Sequence, residues 1–285
     1  MPGKFEVDAR VRDGRWKDLP PGSGHYRAYI GSGEVYDLVG AIQFSILTFL
    51  GLREHHFLLD IGCGSLRGGK LFIPYLLPGR YFGIEPEQWL IEEGIRNEVG
   101  KDLIDIKQPV LSNDRNFTLS AFDQQFDFIL AHSIFSHASQ QQIRTCLSEA
   151  KNVMGPASVF AATFVRGQQN YTGSTWVYPH CVTYTLEHIA GLAEAHGLIC
   201  KPIDWPHPTQ QTWVIICHPE NSKAIPDIDD TTRLLWLENE LKFYKQRLAK
   251  LEGHPYVRFG MKVDRYLPWV ERLRHGYWPL GRNGR

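Results

Sequence analysis

The chain has 285 residues, 43% of them apolar, which is enough to bury one large core with appended segments. Lys plus Arg and Asp plus Glu each number 31, so the whole chain has no bias towards a polyanion such as a nucleic acid. The longest apolar run is too short to cross a bilayer, and the charged N-terminus lacks the apolar stretch of a signal peptide. The five cysteines form no C-x-x-C pair and fit reduced thiols, so we expect a cytoplasmic protein without a metal site.

Residues 57–69 carry the most informative local pattern, an apolar run that ends at Asp60 followed by glycines at Gly62 and Gly64 around Cys63. The pattern predicts a buried strand, a tight turn and a helix close behind. Glycine allows a positive φ and a close approach of the backbone to a ligand, and the helix N-terminus offers free N–H groups. Dinucleotide-binding domains also use a Gly-x-Gly turn, and such a turn can occur without any ligand.

A second apolar segment, residues 80–86, is predicted to be the next strand and ends in Glu85 and Pro86. An acid at the carboxyl end of the second strand of an open α/β sheet can accept hydrogen bonds from ribose hydroxyls. Glu85 and Pro86 also suit the start of a helix, and both interpretations can hold together. Residues 109–111 are predicted as a third strand.

The later part of the chain separates two possible folds. Residues 126–131 and 157–164 are predicted strands joined by a helix over 140–153, and another helix over 185–196 precedes two strands, 198–203 and 212–217. The last two strands are separated by too few residues for a parallel crossover, so they should form an antiparallel hairpin. A dinucleotide-binding fold would instead continue with β–α–β units.

These features together resemble the class I S-adenosylmethionine (SAM)-dependent methyltransferases. The resemblance implies an α/β, Rossmann-like, mostly parallel sheet closed by an antiparallel C-terminal hairpin, with SAM as the cofactor. It places the amino-acid part of SAM over the Gly-x-Gly turn, the ribose on Glu85 and the adenine near the polar residues after the third strand, although an ordinary turn is an alternative there. The predicted cofactor-binding residues are Asp60, Gly62, Cys63, Gly64, Glu85, Pro86, Asn113, Asp114 and His132.

Methyl transfer is an in-line displacement, and a hydroxyl acceptor would need a base of near-neutral pKa to take its proton. In this family the end of the fourth strand lies beside the sulfur of the cofactor. Here that segment contains His132 and His137, with His137 expected at the start of the next helix. Our first candidate for the base is His137, followed by His132 and His180; a purely structural role for each histidine is the alternative.

Aromatic residues indicate the kind of acceptor. The loop after the fifth strand contains Trp176 and Tyr178, and a segment before the first strand, which commonly forms a lid in this family, contains Tyr26, Tyr29 and Gln43. Aromatic side chains beside a cofactor suit flat acceptors such as sugars or rings. We therefore predict these five as substrate-binding residues; for Tyr26, Tyr29 and Gln43 the alternative is an N-terminal helix that packs on the sheet.

The segments 25–31, 60–67 and 133–137 resemble bacterial small-molecule methyltransferases, in particular enzymes that O-methylate sugars and glycans, such as the mycobacterial methylmannose polysaccharide methyltransferases. The resemblance implies a small-molecule or glycan acceptor and no nucleic acid. Two alternatives stay open: a SAM-binding sensor or scaffold without catalysis, and a methyltransferase that acts on protein or lipid.

The predicted domain boundaries are an N-terminal lid and helical segment over 1–50, a methyltransferase domain over 51–219, a linker over 220–232, and a helical and basic aromatic tail over 233–285. Apolar residues in the tail recur at alternating steps of three and four, which predicts a homodimer or larger assembly joined through this helix. Packing of the helix on its own domain is the alternative. The seam residues are Leu234, Leu237, Leu241, Tyr244, Leu248 and Leu251.

Overall fold

The computed structural model describes residues 16–223 and the isolated positions 242, 245 and 246. The helices and strands whose bounds are given below fall in the first of two compact units, Met1–Ile228, and positions 242, 245 and 246 are helical residues of the second. All six residues of the predicted seam and the basic tail lie outside the described residues, so the domain boundaries and the homodimer stay predictions. In the described part of the chain, no helix has the length and apolar character needed to cross a membrane.

The described residues form seven α-helices and eight strands in an alternating order. The helices are α1 (Tyr26–Tyr29), α2 (Tyr36–Phe49), α3 (Gly69–Tyr75), α4 (Gln88–Gly94), α5 (Lys101–Lys107), α6 (Gln140–Val153) and α7 (Leu186–Glu194). The strands are β1 (Leu58–Ile61), β2 (Tyr81–Ile84), β3 (Val110–Ser112), β4 (Phe126–Ala131), β5 (Met154–Arg166), β6 (Thr183–Tyr184), β7 (Ile199–Ile203) and β8 (Thr212–Cys217). A π-helical turn, Ile95–Val99, connects α4 to the region of α5.

The strands form one sheet in the order β3-β2-β1-β4-β5-β8-β7, with β6 paired to β5 beside this path. β1 to β5 run parallel to one another, whereas β8 is antiparallel to both β5 and β7. The segment between β7 and β8 holds no helix, as its length requires. The predicted Rossmann-like sheet with an antiparallel closing hairpin is therefore confirmed.

The core lies on both faces of the central strands. All four residues of β1 and all four of β2 are buried, as expected of parallel strands covered by helices on both sides. The tryptophan of β8, Trp213, is fully buried as well. This continuous burial explains why these strands appear in the sequence as apolar runs rather than as an alternating pattern.

The connection between β4 and β5 differs in detail from the expectation. Ser139 caps α6 in a capping box with Gln142, so the helix begins at Gln140. His137, expected at the start of this helix, lies in the turn before the cap. β5 begins at Met154, directly after the helix and before the predicted strand start, and pairs Met154 with Phe126 before its register shifts.

The two-residue strand β6 was not predicted, because a strand this short leaves no periodic signal. It pairs in parallel with Val165 and Arg166 at the carboxyl end of β5. This pairing fixes the far end of the loop over residues 167–182 at the same edge of the sheet at which β1, β2 and β4 end.

Candidate active site

A cavity of about 460 Å³ opens at the carboxyl ends of the parallel strands. Its wall includes residues at the ends of four of them: Asp60–Gly64 at the end of β1 and in the turn beyond it, Glu85–Glu87 after β2, residues 114, 115 and 117 after β3, and His132–Ile134 after β4. A crevice at this edge is the usual ligand site of an open α/β sheet. The remaining wall comes from the N-terminal helices, residues 67 and 68, α4, the turn before α6 and the first turn of that helix, and the loop after β5.

The turn after β1 brings its backbone to the cavity because two glycines carry no side chain there. Gly62 and Gly64 have φ values of 72° and 56°. A Cβ added at Gly62 would lie 2.2 Å from the terminal methyl of Ile134, and one at Gly64 would lie 3.1 Å from Ile30. The N–H groups of Gly62 and Cys63 both donate to the Ile84 carbonyl, which ties the turn to β2. The two glycines therefore keep this edge of the cavity open.

Asp60 lies under this turn and is buried. The hydroxyl of Tyr81 donates a hydrogen bond of 2.8 Å to its carboxylate. Burial raises the pKa of Asp60 to about 6, although the Tyr81 hydrogen bond and the positive charge of Arg67 act in the opposite direction. Asp60 therefore changes its charge near physiological pH, at a point where a ligand can contact it.

Glu85 follows β2 and is also buried. Its two oxygens accept hydrogen bonds from the backbone N–H groups of Gly64, at 3.1 Å, and of Glu87, at 2.9 Å. Burial raises its pKa to about 7, against the effect of those two donors. A carboxylate oxygen has two lone pairs, so each oxygen can accept one further hydrogen bond from a ligand. Pro86 lies beside it in the cavity wall.

Asn113 and Asp114 occupy different positions relative to the cavity. Asn113 is not part of the wall, and its side-chain amide donates a hydrogen bond of 2.8 Å to the Glu85 carbonyl. Asp114 lies in the wall, but its carboxylate accepts hydrogen bonds from the Asn116 N–H and from the N–H and hydroxyl of Thr118. These bonds form the turn after β3 and leave Asp114 less capacity for a ligand than Glu85 has.

His137 lies in the cavity wall and is buried. Its Nδ1 lies 2.7 Å from the carbonyl oxygen of His180, which can only accept, so the ring hydrogen is on Nδ1 and Nε2 keeps its lone pair. Burial lowers the pKa of His137, and backbone hydrogen bonds at His180 and Val177 partly oppose this. The ring is therefore neutral at pH 7 and able to accept a proton.

The other two candidate histidines are placed differently. Both nitrogens of His132 have partners, since Nδ1 lies 3.1 Å from Arg67 Nη2 and Nε2 lies 2.8 Å from His207 Nε2. Burial and the neighbouring His207 and Arg67 lower the pKa of His132 well below its ordinary value. The side chain of His180 is exposed and is not part of the cavity wall.

Aromatic side chains form one side of the cavity. Tyr29 and Tyr178 lie with ring centroids 5.5 Å apart, and His137 lies between Tyr178 and Trp176, at 5.0 and 5.5 Å. Of the predicted lid residues, Tyr29 and Gln43 are in the cavity wall. Tyr26 is not, and its hydroxyl donates to Glu98 at 2.9 Å.

Arg67 is a site residue that sequence reasoning did not select, although it lies in the same Gly-rich segment as Gly62. Its side chain lines the cavity and is only 8% exposed. Burial lowers its pKa from the usual arginine value. The sequence feature that could have identified Arg67 is its position shortly after the turn at Gly62 and Gly64. Within residues 16–223, no group of three or more His, Cys, Asp or Glu side chains is arranged to hold a metal ion.

Comparisons with known proteins point to the fold. No protein-family model matches the chain, and a search of curated proteins finds no match. The solved structure of DesVI from Streptomyces venezuelae matches with a TM-score of 0.50 and 12% identity over 67% of this chain and 94% of that chain.

Two further solved structures are similar. The glycopeptide N-methyltransferase MtfA in complex with sinefungin has a TM-score of 0.49 and 11% identity over 63% of this chain and 94% of that one. The magnesium protoporphyrin IX methyltransferase of Synechocystis PCC 6803 with bound SAM has a TM-score of 0.49 and 12% identity over 73% of this chain and 91% of that one. At these identities the likeness extends to the fold alone, and the chain has the Rossmann-like fold of the class I methyltransferases.

Proposed function

We propose that the chain is a SAM-dependent methyltransferase that binds its cofactor along the cavity, with the methionine part over residues 60–64 and the ribose on Glu85. The observation that carries this proposal is the buried Glu85 carboxylate, which keeps free lone pairs at the cavity wall. It lies beside the turn at Gly62 and Gly64, where a Cβ would be too close to neighbouring side chains. The two ligand complexes among the similar folds, one with sinefungin and one with SAM, support it.

The proposed reaction is O-methylation of a small molecule or glycan. Bound SAM would supply a methyl group that its sulfonium already activates. The protein then has to align the acceptor oxygen with that methyl and remove the hydroxyl proton, and orientation alone can supply several kcal/mol. The oxygen–methyl bond forms as the methyl–sulfur bond breaks, and the proton goes to a base.

His137 is the base in this proposal. It alone of the three candidates is buried in the cavity wall with a lone pair not bound to a neighbouring side chain. His132 already uses both ring nitrogens, and the His180 side chain lies outside the wall. The aromatic rings of Trp176 and Tyr178 beside His137 would hold a flat acceptor next to it.

The test is methyl transfer from labelled SAM to small-molecule and glycan fractions from a lysate of the source organism. We expect His137→Gln to lower turnover about a hundredfold or more, because a positioned base contributes this much, while the affinity for S-adenosylhomocysteine (SAH) stays near the wild-type value. The matched control is His55→Gln, which changes an exposed histidine outside the cavity wall and should leave turnover unchanged.

Three outcomes would contradict parts of this proposal. Full turnover in the His137 variant would exclude that histidine as the base. Label found only in protein or lipid would exclude the proposed acceptor class. Tight SAH binding without transfer to any fraction would favour a sensor or scaffold.

A further inference from the structure

Arg67 is a buried cation that forms no ion pair among residues 16–223, although the buried carboxylate of Asp60 is near enough for each charge to shift the pKa of the other. Its Nη1 donates to the Ile30 carbonyl at 3.2 Å and its Nη2 contacts His132 at 3.1 Å, both of which are neutral groups. Its Nε is buried and has no hydrogen-bond partner. Among the ion pairs of residues 16–223, none includes Arg67.

A buried arginine without an ion pair is expected to bind an anionic group of a ligand. A buried charge that lacks a partner is costly, and an ion that binds there removes much of that cost. The planar guanidinium donates from several N–H groups in a fixed fork that matches a carboxylate. Because Arg67 lies in the cavity wall and its Nε–H is unused, a ligand in the cavity can supply that carboxylate.

A pair of buried histidines holds the guanidinium in place. Arginine has no lone pair, so Nδ1 of His132 must accept from Nη2, and the ring hydrogen of His132 is on Nε2. Nε2 of His132 in turn lies 2.8 Å from Nε2 of His207. On its other side, Nδ1 of His207 lies 3.1 Å from the hydroxyl oxygen of Thr209 and accepts from the backbone N–H groups of Thr209, at 3.2 Å, and of Gln211, at 3.4 Å, so the hairpin loop fixes the ring.

His207 belongs to the loop between β7 and β8, far along the chain from Arg67. Its ring stacks on His132 with centroids 4.9 Å apart and an interplanar angle of 16°, and it contacts the buried ring of Trp213. The side-chain contacts from Arg67 to His132 and from His132 to His207 therefore connect the closing hairpin to the cavity wall. Loss of the nitrogen at position 207 that contacts His132 would free His132 to turn and release Nη2.

We propose that Arg67 is a carboxylate-binding residue of the cavity and that His207 is a positioning residue that acts on it through His132. The inference rests on the proposed function. The carboxylate can come from the methionine part of the cofactor or from an acidic acceptor, and the two sources give different results in the experiment below.

The experiment compares calorimetric affinities of the full-length protein for SAH and for 5′-methylthioadenosine, which keeps the adenosine thioether but lacks the amino-acid carboxylate. If the carboxylate belongs to the cofactor, Arg67→Gln should lower the affinity for SAH at least tenfold and change the affinity for 5′-methylthioadenosine less than twofold. The methylthioadenosine affinity also verifies that the variant folds. Arg115→Gln, at the other arginine of the cavity wall, is the control, and it should change the affinities for both ligands by the same factor.

The acceptor source is tested with benzoate, an aromatic carboxylate, titrated into protein saturated with SAH. If the acceptor supplies the carboxylate, the affinity ratio of SAH to 5′-methylthioadenosine stays unchanged in Arg67→Gln, while benzoate binds the wild type and not the variant. An unchanged ratio without benzoate binding to the wild type would overturn the assignment of Arg67.

The role of His207 is tested with two variants and the same ligand that Arg67 is found to bind. His207→Phe keeps an aromatic ring but lacks the nitrogen that contacts His132, so it should weaken binding of that ligand at least threefold. His207→Gln, whose side-chain amide can hydrogen-bond to His132, should restore the wild-type affinity. A Phe variant with wild-type carboxylate affinity, or equal losses in both variants, would overturn the positioning role.

These results can be separated from a failure of the proposed function. A wild-type protein that binds neither SAH nor 5′-methylthioadenosine would contradict SAM binding itself. A wild type that binds both ligands equally, with no benzoate binding, would leave the cofactor proposal standing and refute only the carboxylate site.

Discussion

If Glu85 binds the ribose, as we propose, its raised pKa should make the affinity for SAH depend on pH. The carboxylate is buried and has a pKa of about 7, so it is only partly ionised in the free protein at neutral pH. Hydrogen bonds from ribose hydroxyls favour the ionised form. Cofactor binding should therefore be strongest above pH 7 and should weaken as Glu85 becomes protonated below it.

The size of the effect follows from that pKa. About ten in eleven Glu85 side chains are ionised at pH 8 and about one in eleven at pH 6. Glu85→Gln cannot ionise, and the loss of charge-assisted hydrogen bonds worth about 1.5–3 kcal/mol should weaken binding roughly ten- to a hundredfold at pH 8. With this preference for the ionised form, the wild-type SAH affinity, and with it the ratio of wild-type to variant affinity, should fall about five- to ninefold from pH 8 to pH 6, because only the wild type loses affinity on Glu85 protonation.

The assay is calorimetric titration of SAH into both proteins at pH 6, 7 and 8. Taking the ratio removes contributions of other groups, such as Asp60, that titrate equally in both. Glu92→Gln, at an exposed position of α4, is the control and should follow the wild type. A ratio that stays constant from pH 6 to pH 8 would refute the assignment of the ribose to Glu85.

Three further predictions follow from the packing around the site. Gly40→Ala should lower the free energy of unfolding in urea by about 1–3 kcal/mol, because the new Cβ would lie 2.5 Å from the Arg67 carbonyl oxygen. Gly191→Ala, in α7 with open space around it, should raise the free energy of unfolding by up to about 1 kcal/mol. Equal effects of the two substitutions would contradict this packing. A thiol reagent should modify Cys181 first, since it is the exposed cysteine, and a rapidly reacting buried Cys63 would contradict the structure. Trp176→Ala should raise the KM for the acceptor and leave SAH affinity unchanged, and a parallel loss of SAH affinity would assign Trp176 to the cofactor instead.

Much of the fold could be predicted because its signals are local. The bounds of β4 and β8 agree with the predicted strands, since apolar runs between turn residues mark buried strands. The closing hairpin could be predicted from the length of one loop, 204–211, which excludes a parallel crossover. The glycine turn and Glu85 could be predicted because their residue types are placed at strand ends, where an α/β sheet binds ligands.

The contacts around Arg67 could not be predicted, because they depend on the three-dimensional arrangement of distant segments. His132 and His207 meet only because β4, β5 and β8 are neighbours in the sheet, and no spacing in the sequence reports that. The positions of Tyr26 and Asn113 outside the cavity wall depend likewise on side-chain partners, Glu98 and the Glu85 carbonyl. The homodimer predicted from the heptad seam stays a prediction, since all six seam residues lie outside the described residues.

The most direct test of the central claim is a crystal structure of the full-length protein with SAH. We expect the ribose hydroxyls within hydrogen-bond distance of the Glu85 carboxylate and the methionine part over the turn at Gly62 and Gly64. SAH bound elsewhere, or with its ribose away from Glu85, would contradict the proposed cofactor site.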